Sequence, residues 1–277
     1  MTSLAAALSC DSRGPSALYL ITDSRITWAK STERWDAGQK TFTFPNSPDI
    51  FGYCGDAYFA PIVMGQVISI AMNKVIDFSA ISSECRHKVI IDIIKESIGK
   101  VNTIYISDVT LFHGSRDECL MESRFRLWRS QYNCKSHEWI DKELVLNNGT
   151  SYLAKIDGSG ASSVKKFDKK MLSTDAKGTS RAAIHAFCKS LHSGADAYSG
   201  GAPQLVGIWR KGNARQFGIS WDGKGYIGGM KLPKIADYSQ VDWFNHLFER
   251  CDGRTGRKLE KASNHKLSLQ SNNDRTS

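Results

Sequence analysis

The chain has 277 residues, of which 41% are hydrophobic and 23% are charged, which argues against disorder over most of its length. Its longest apolar run, residues 60–72, is interrupted by three polar or glycine residues and falls short of the roughly 20 apolar residues that span a membrane. Because the start of the sequence also lacks the basic and apolar regions of a secretory signal, we expect a cytoplasmic protein without a membrane partner.

The formal net charge is +9, and residues 251–277 hold +3 of it, with six Lys/Arg against three Asp/Glu. A basic balance of this kind can support contacts with nucleic acid or an acidic partner. The lysines between residues 165 and 170 lie early in a predicted helix, where they would project to solvent rather than form one groove. We therefore expect a soluble basic surface, and a nucleic-acid partner is the less favoured alternative.

The seven cysteines and seven histidines are scattered along the chain. The cysteines are odd in number and have no paired short spacing, so we expect reduced thiols, most of them buried. The sequence has no Cys-x-x-Cys or His-x-x-x-His pair that would suggest a metal site. We predict neither a metal nor a cofactor.

Alternating apolar residues and turn residues predict two strand pairs near the start of the chain. These strands are expected at residues 3–10, 17–23, 41–44 and 50–54. A helix should follow Gly55, with Asp56 at its start and apolar residues up to Ala71. A second helix, over residues 82–100, carries an apolar stripe between Val89 and Val101. This stripe is wide enough to predict a contact with a neighbouring copy of the chain.

Strands, then two helices, then strands again are predicted in the second half of the sequence. The strands are expected at residues 109–113, 125–131, 139–146, 152–156, 204–210 and 214–219, and the helices at residues 160–172 and 179–191. Residues 114–148 are predicted to form a long hairpin. Aromatic residues between Tyr238 and Phe248 predict a terminal amphipathic helix. We divide the chain into a globular domain, residues 1–250, and a basic, disordered tail, residues 251–277.

Thr2 is the first candidate for a functional residue. Removal of Met1, which aminopeptidases carry out readily before small residues, would leave Thr2 with a hydroxyl nucleophile and a free α-amine on one residue. Many proteins begin with Met-Thr, so this feature alone carries little weight.

Further segments fit one pattern, and they occur in a consistent order. They are Asp23-Ser24-Arg25-Ile26-Thr27, Gly38-Gln39-Lys40-Thr41-Phe42, Gly52-Tyr53-Cys54-Gly55-Asp56-Ala57, Asp157-Gly158-Ser159-Gly160 and Asp196-Ala197-Tyr198-Ser199-Gly200-Gly201. Together with Thr2 they resemble a proteasome β-type subunit, a member of the N-terminal nucleophile hydrolases. The resemblance covers residues 2 to about 225. The order of predicted strands and helices agrees with the α+β fold that the resemblance implies, a four-layer αββα sandwich with two antiparallel sheets between helical layers.

The resemblance implies a threonine-type endopeptidase with Thr2 as its nucleophile. Lys40 would favour the Thr2 alkoxide and lower the pKa of the α-amine, and Asp23 would orient Lys40 and keep it charged. Gly55 would donate its backbone N–H to the oxyanion. The group around the amine and the nucleophilic water would be Ser159, Asp196 and Ser199. The residues that match the specificity pocket are Ile26, Phe42, Tyr53 and Ala57, which predict an apolar pocket.

The same resemblance implies a homo-oligomeric ring that acts on peptide or protein substrates, and it allows for an ATP-dependent unfoldase as a partner. Two departures stand out: the long segment 114–148, and Ala161 at a position where many active members carry serine. Two other functions stay open. The chain could be a non-proteolytic amidohydrolase that uses the same threonine, or a structural ring subunit whose site has drifted.

Overall fold

The computed structural model describes residues 2–28, 33–101 and 106–263, and the strands and helices of this part fall close to the predicted positions. The strands are β1 (Ser3–Asp11), β2 (Gly14–Thr22), β3 (Ile26–Thr27), β4 (Arg34–Trp35), β5 (Thr41–Thr43), β6 (Asp49–Gly55), β7 (Val109–Asp117), β8 (Arg124–Asn133), β9 (Glu138–Leu144), β10 (Tyr152–Gly158), β11 (Gln204–Trp209), β12 (Arg215–Trp221), β13 (Lys224–Ile227), β14 (Met230–Lys231) and β15 (Trp243–Asn245). The helices are α1 (Phe59–Met72), α2 (Ser83–Ile98), α3 (Ala161–Leu172) and α4 (Ser180–His192).

Most of these strands belong to two sheets. The first has the order β10-β1-β2-β11-β12-β13-β14, and β15 pairs with β12 in parallel; the other pairings are antiparallel. The second is antiparallel throughout, with the order β5-β6-β7-β8-β9. Strands β3 and β4 form a separate two-stranded ribbon. As predicted, β8 and β9 form a long hairpin within residues 114–148.

The side chains of β1 show how the first sheet is covered on both faces. Leu4, Ala6 and Leu8 pack in an apolar cluster with residues of the second sheet such as Ile50 and Phe112. Alternate side chains of a strand point to opposite faces, so Ala5 and Ala7 point the other way and join a cluster with residues of α4. The result is a mixed α/β arrangement in which β1 lies between the second sheet and a helix.

Side-chain hydrogen bonds fix the beginnings of three of the helices, α1, α2 and α4. Ser82 accepts a hydrogen bond from the backbone N–H of Cys85 at the start of α2, and Thr179 accepts one from Ala182 at the start of α4. Asp56 accepts hydrogen bonds from the first amides ahead of α1, as its position in the sequence predicted. Such caps satisfy amides that have no partner inside a helix.

The apolar stripe of α2 packs mainly within the chain, although Val101 at its end is exposed, so its contact with a neighbouring copy stays a prediction. Ile90, Ile94 and Ile98 are each 3% exposed or less, and they pack in one cluster with α1 and the second sheet. The stripe covers the chain's own sheet because that sheet presents large side chains, among them Phe51 and Leu111.

The predicted terminal helix between Tyr238 and Phe248 is wrong. This segment contains a single 3-10 turn, Tyr238–Gln240, followed by β15. Trp243 lies on glycine backbone, since a Cβ on Gly218 or Gly253 would stand within 2.4 Å of its ring atoms. The parallel pairing of β15 with β12 determines the structure of this segment. A local pattern of aromatic residues cannot predict a pairing of this kind.

The predicted tail is described as far as residue 263. Cys251 is 3% exposed, and its backbone forms an isolated antiparallel β-bridge with Lys258. Gly253 contacts Trp243. Residues 264–277 lie outside the described residues. Among the helices of the described ranges, none combines the length and the apolar character needed to cross a membrane.

Candidate active site

Lys40 is a fully enclosed lysine at the centre of the candidate site. It lies directly before β5, and its side chain is 1% exposed. Its backbone N–H donates to the Gln204 side-chain carbonyl over 2.9 Å, and its own carbonyl accepts from the backbone N–H of Tyr53 over 3.1 Å. Both sides of its backbone are therefore held, which fixes the direction in which the side chain points.

The Lys40 ammonium has three partners, one for each of its protons. Nζ donates to Thr2 Oγ1 over 2.8 Å and to Asp23 Oδ1 over 2.9 Å. The third partner is the backbone carbonyl of Arg25. The structure thus places the hydroxyl of Thr2 in direct contact with a buried lysine that a carboxylate also holds.

Asp23 stands just beyond the end of β2 and is entirely buried. Besides Lys40, its carboxylate accepts backbone N–H bonds from Ser3 at 3.1 Å and from Arg25 and Gly200 at 3.0 Å. These donors come from the first strand, the turn after β2 and the loop after α4. Asp23 therefore ties together the three segments that carry the sequence motifs.

Burial acts on both members of this ion pair. It raises the pKa of Asp23 and lowers the pKa of Lys40, and the attraction between the two groups opposes both changes. A lysine whose pKa is lowered in this way can stabilise an alkoxide beside it and exchange a proton with it more readily than a lysine in water. Its position next to the Thr2 hydroxyl suits that chemistry.

A second polar group adjoins Thr2 through Ser3. Asp196 Oδ2 accepts hydrogen bonds from Ser159 Oγ at 2.8 Å and from Ser199 Oγ at 2.7 Å. Ser199 Oγ also lies 2.8 Å from Ser3 Oγ. The three residues predicted to surround the amine of Thr2 therefore form one hydrogen-bonded cluster beside the first strand. None of the three is among the residues that line the cleft described below.

Two glycines make close approaches that other residues could not. Gly55 has φ +106°, and a Cβ there would lie 2.0 Å from the carbonyl oxygen of Asp108. Gly158 has φ +93°, and a Cβ there would lie 1.8 Å from the carbonyl oxygen of Thr2. Both positions need glycine for conformation and for space. Gly55 was among the predicted residues and Gly158 was not.

A cleft of about 770 Å³ opens at Thr2 and Lys40. Of the predicted pocket residues, Ile26, Tyr53 and Ala57 line it together with Gly55. Phe42 is not among the lining residues; it is buried, and its ring stacks on Tyr53 with the centroids 6.4 Å apart. A larger depression, of about 1090 Å³, opens beside Leu8 at the other end of β1, and no predicted site residue lines it.

Sequence reasoning missed several residues of the site and its cleft. Gln204 is 1% exposed, and its amide bonds the backbone of Lys40, Thr41, Asp23 and Gly38. Nothing in the local sequence distinguishes this glutamine from any other residue at the start of a strand. The cleft is also lined by residues that were not predicted as site residues, among them Arg25, Trp28, Tyr58, Asp108, Cys134 and Tyr198. Of these, Arg25 and Tyr198 carried a signal, because each lies within one of the sequence motifs.

Metal chemistry finds no support in the described ranges. No group of three or more His, Cys, Asp or Glu side chains there is arranged to hold a metal ion. The two cations at the candidate site each pair with a carboxylate, Lys40 with Asp23 and Arg25 with Asp36.

Comparison with known proteins gives one structural likeness and no sequence match. No protein-family model matches the sequence, and no curated protein matches it either. Among solved structures, the chain is similar to eukaryotic HslV from Trypanosoma brucei, with a TM-score of 0.44 and 13% sequence identity over 76% of this chain and 99% of that chain. A likeness at this TM-score does not establish a shared activity.

Proposed function

We propose that this chain is a threonine-type peptidase, which cleaves peptide bonds with Thr2 as nucleophile after Met1 has been removed. One observation carries the proposal: the buried Lys40 ammonium lies 2.8 Å from Thr2 Oγ1 and 2.9 Å from Asp23 Oδ1. Burying a lysine is unfavourable unless it is paired, and this one is paired on one side with a carboxylate and on the other with a hydroxyl. A site built in this way suits an activated nucleophile.

In the proposed mechanism the α-amine of Thr2 is the general base. With a free N-terminus its pKa would be about 7.7–8.0 before any influence of the site, close to neutral pH. The amine takes the proton from Thr2 Oγ1 as this oxygen attacks the carbonyl carbon of the substrate. Lys40 stabilises the negative charge that develops on the attacking oxygen. In the full chain this nitrogen is a peptide nitrogen bonded to Met1, so the mechanism requires that Met1 be removed.

Later steps use the other predicted residues. The backbone N–H of Gly55 would stabilise the oxyanion, a contribution that is typically worth about 10²–10³ in rate. The protonated amine then gives its proton to the leaving amine, and an ester on Thr2 remains. Water attacks this ester, and the cluster of Ser159, Asp196 and Ser199 would position the amine and the water. The hydroxyl of Thr2 is restored at the end of the cycle.

The proposal includes the finer features of the fold and assembly. We place the two sheets and their helices in a four-layer αββα sandwich spanning residues 1–250, with residues 251–277 as a tail. The packing of β1 between the second sheet and α4 supports this arrangement. A homo-oligomeric ring, and an unfoldase that would deliver substrates to it, also belong to the proposal.

Substitution of Thr2 tests the function. On protein shown by intact mass to lack Met1, we expect Thr2→Ala to reduce hydrolysis of short fluorogenic peptides to a few per cent of wild type or less, because the hydroxyl that attacks the substrate is gone. Thr2→Ser keeps that hydroxyl and should keep measurable activity. Thermal unfolding of both variants serves as the control for folding. Wild-type activity in Thr2→Ala would contradict the proposal.

The same assay separates the alternatives. A non-proteolytic amidohydrolase would release the fluorophore from minimal amides but leave peptides of four or more residues intact. A structural subunit would hydrolyse neither kind of substrate.

A further inference from the structure

The cleft next to Thr2 has an uneven distribution of charge. Among the described residues, two cations line it, Arg25 and Lys40. Lys40 is paired with Asp23, and Arg25 makes two bonds to Asp36, of 2.7 and 2.8 Å. These two cations are therefore already neutralised by partners of their own.

In the described part of the chain, two carboxylates line the same cleft, and they differ in exposure and in the number of hydrogen bonds they accept. Asp56 is 5% exposed, and it accepts backbone N–H bonds from Tyr58, Phe59 and Ser107 at 2.7–3.0 Å. Asp108 is exposed, and its side chain accepts a bond from the backbone N–H of Cys134 at 2.9 Å. That contact is a main contribution to the lowered pKa of Asp108, so the carboxylate is ionised at neutral pH. Lys135 also lowers this pKa, but no ion pair joins it to Asp108 in the described part of the chain.

Aromatic side chains form part of the same cleft. Trp28 is 40% exposed and Tyr58 is 63% exposed, and the Trp28 indole N–H donates to the Tyr58 hydroxyl over 3.1 Å. Tyr198, 45% exposed, also lines the cleft. Exposed aromatic faces attract ammonium and guanidinium groups and also accept the apolar stem of a lysine or arginine.

We propose that this cleft selects peptide substrates with a lysine or arginine near the scissile bond, and that the side chain of Asp108 determines the preference. The inference rests on the proposed function and names the substrate class for the same site. It also corrects the expectation of an entirely apolar pocket, because the matched residues Ile26, Tyr53 and Ala57 make up only part of the lining.

The net charge of +9 does not oppose this selection at short range. Charges on a protein surface are largely screened beyond about 8 Å at physiological ionic strength. A lysine that enters the cleft would meet Asp108 well inside that distance. The local carboxylate and the aromatic faces should therefore outweigh the diffuse positive charge of the surface.

The test compares lysine with norleucine, which has the same unbranched chain without the charge. Fluorogenic tetrapeptides differing in one residue, with lysine, norleucine or glutamate at each position in turn, would be assayed on protein lacking Met1. We expect kcat/KM to be about five- to tenfold higher for lysine than for norleucine at one position at least, and lowest for glutamate, in keeping with one ion pair and one cation–π contact.

Asp108→Asn is the decisive variant. The asparagine retains a side-chain oxygen that can accept from Cys134, so the loop should keep its shape while the charge is lost. We expect the lysine-to-norleucine ratio to fall severalfold, to the part that the cation–π contact alone contributes. Asp222→Asn is the matched control, because it removes the same charge from the turn between β12 and β13, outside the cleft, and should leave the ratio unchanged. An equal rate for lysine and norleucine at every position, or a ratio unaffected by Asp108→Asn, would overturn the inference.

A binding measurement separates this inference from the proposed function. Fluorescence anisotropy with labelled versions of the same peptides on Thr2→Ala protein needs no turnover. If wild-type protein cleaves nothing but the lysine peptides still bind more tightly than the norleucine peptides, the peptidase proposal fails and the selectivity stands. If cleavage occurs without any preference for lysine, the selectivity fails alone.

Discussion

At the scale of single residues, the Lys40–Asp23 ion pair should strongly affect the free energy of unfolding. Both side chains are at most 1% exposed, so water contributes little to their stabilisation. Replacing such a pair by apolar residues is often neutral, whereas removing one partner leaves a buried charge and typically costs about 3–5 kcal/mol. A loss of stability alone would therefore not show that the pair takes part in catalysis. That requires a variant in which activity is lost while the protein stays folded.

Lys40→Met should distinguish these two effects. We expect it to abolish peptide hydrolysis and to lower the free energy of unfolding by about 3–5 kcal/mol, because Asp23 is left without its cation. The double variant Lys40→Met, Asp23→Asn removes both charges and should regain part of the stability without any activity. Urea unfolding and peptide turnover would be measured on each. Lys142→Met, on the exposed hairpin strand β9, is the control and should match wild type in both.

Turnover near the wild-type rate in Lys40→Met would show that the ammonium has no part in the chemistry. Lys40→Met could also lose activity only because it unfolds. The double variant excludes this explanation, because it should fold and still be inactive.

Motifs in the sequence predicted Thr2, Asp23 and Lys40, and the structure brings the three together within hydrogen-bond distance. The roles of these residues stay a prediction. Gln204 and Asp108 could not be predicted, because each acts through contacts between distant segments. Gln204 reaches Lys40 across 164 positions, and Asp108 borders the cleft because β6 and β7 pair Gly55 with Val109. Registers of this kind are not encoded in any local pattern.

At the scale of elements, helix α2 is attached to the second sheet by a chain of polar groups that is buried except at its outer end, Asp141. Asp49 Oδ1 lies 2.9 Å from His113 Nε2, the two Nδ1 atoms of His113 and His87 are 2.9 Å apart, and His87 Nε2 lies 3.1 Å from Asp141 Oδ2. Trp128 stacks on His87 and Phe51 stacks on His113. Two neutral imidazoles carry one ring proton each, so two of these three contacts can be hydrogen bonds at any one time.

This arrangement predicts loss of stability in mild acid. Burial lowers the pKa of His113 to about 4, whereas an unfolded histidine titrates near 6.5. The unfolded chain therefore binds a proton that the folded chain does not, and the free energy of unfolding should fall as the pH drops from about 6.5 to about 4. A fully buried group with these values contributes up to about 3 kcal/mol. Asp49, whose pKa is lowered against its burial by His113 and Arg86, adds a loss in the same direction at still lower pH.

Urea unfolding at several pH values between 7 and 4 would measure this loss. In His113→Asn we expect a smaller slope of stability against pH, because the titrating ring is gone while an amide donor towards Asp49 remains. His137→Asn, at the exposed turn between β8 and β9, should leave the slope as in wild type. A slope that is the same in all three proteins would contradict this account of the helix attachment.

Periodicity predicted the helices well because their caps and apolar faces are local features. The beginnings of α2 and α4 fall within a residue or two of the predicted positions, where Ser82 and Thr179 cap them. It failed between Tyr238 and Phe248, where a parallel pairing with β12 overrides the local pattern and Phe248 adopts a φ of +56°. It also overestimated how much of the α2 stripe is exposed, since an apolar helix face does not reveal whether it packs within the chain or against another copy.

At the scale of the whole molecule, one patch of exposed apolar surface lies around the start of α1 and the end of α2. Tyr58 and Ile62 are each 63% exposed, and Val101 is 38% exposed; together they line a groove of about 560 Å³. Exposed apolar surface of this kind often marks an interface. It lies beside the cleft, since Tyr58 lines both.

We expect the purified protein to sediment as a closed oligomer and not as a 30.8 kDa monomer at micromolar concentration. Ile62→Glu should shift the equilibrium towards the monomer, because a charge would have to be buried in the contact. Lys74→Glu, just beyond the end of α1, changes an exposed residue outside the groove and should leave the oligomer intact. A stable wild-type monomer would contradict the ring assembly but not the chemistry of the site.

The central claim is that Thr2 carries both the nucleophile and the base. A peptide epoxyketone forms a two-point adduct that requires a hydroxyl and a free α-amine on the same residue. On protein shown to lack Met1, at about pH 8, where about half or more of an ordinary α-amine is unprotonated, intact mass should rise by one inhibitor. Peptide mapping should place the adduct on Thr2, and Thr2→Ala protein and protein that retains Met1 should both stay unmodified. An unchanged mass on Met1-free wild-type protein, or an adduct on any other residue, would contradict the account.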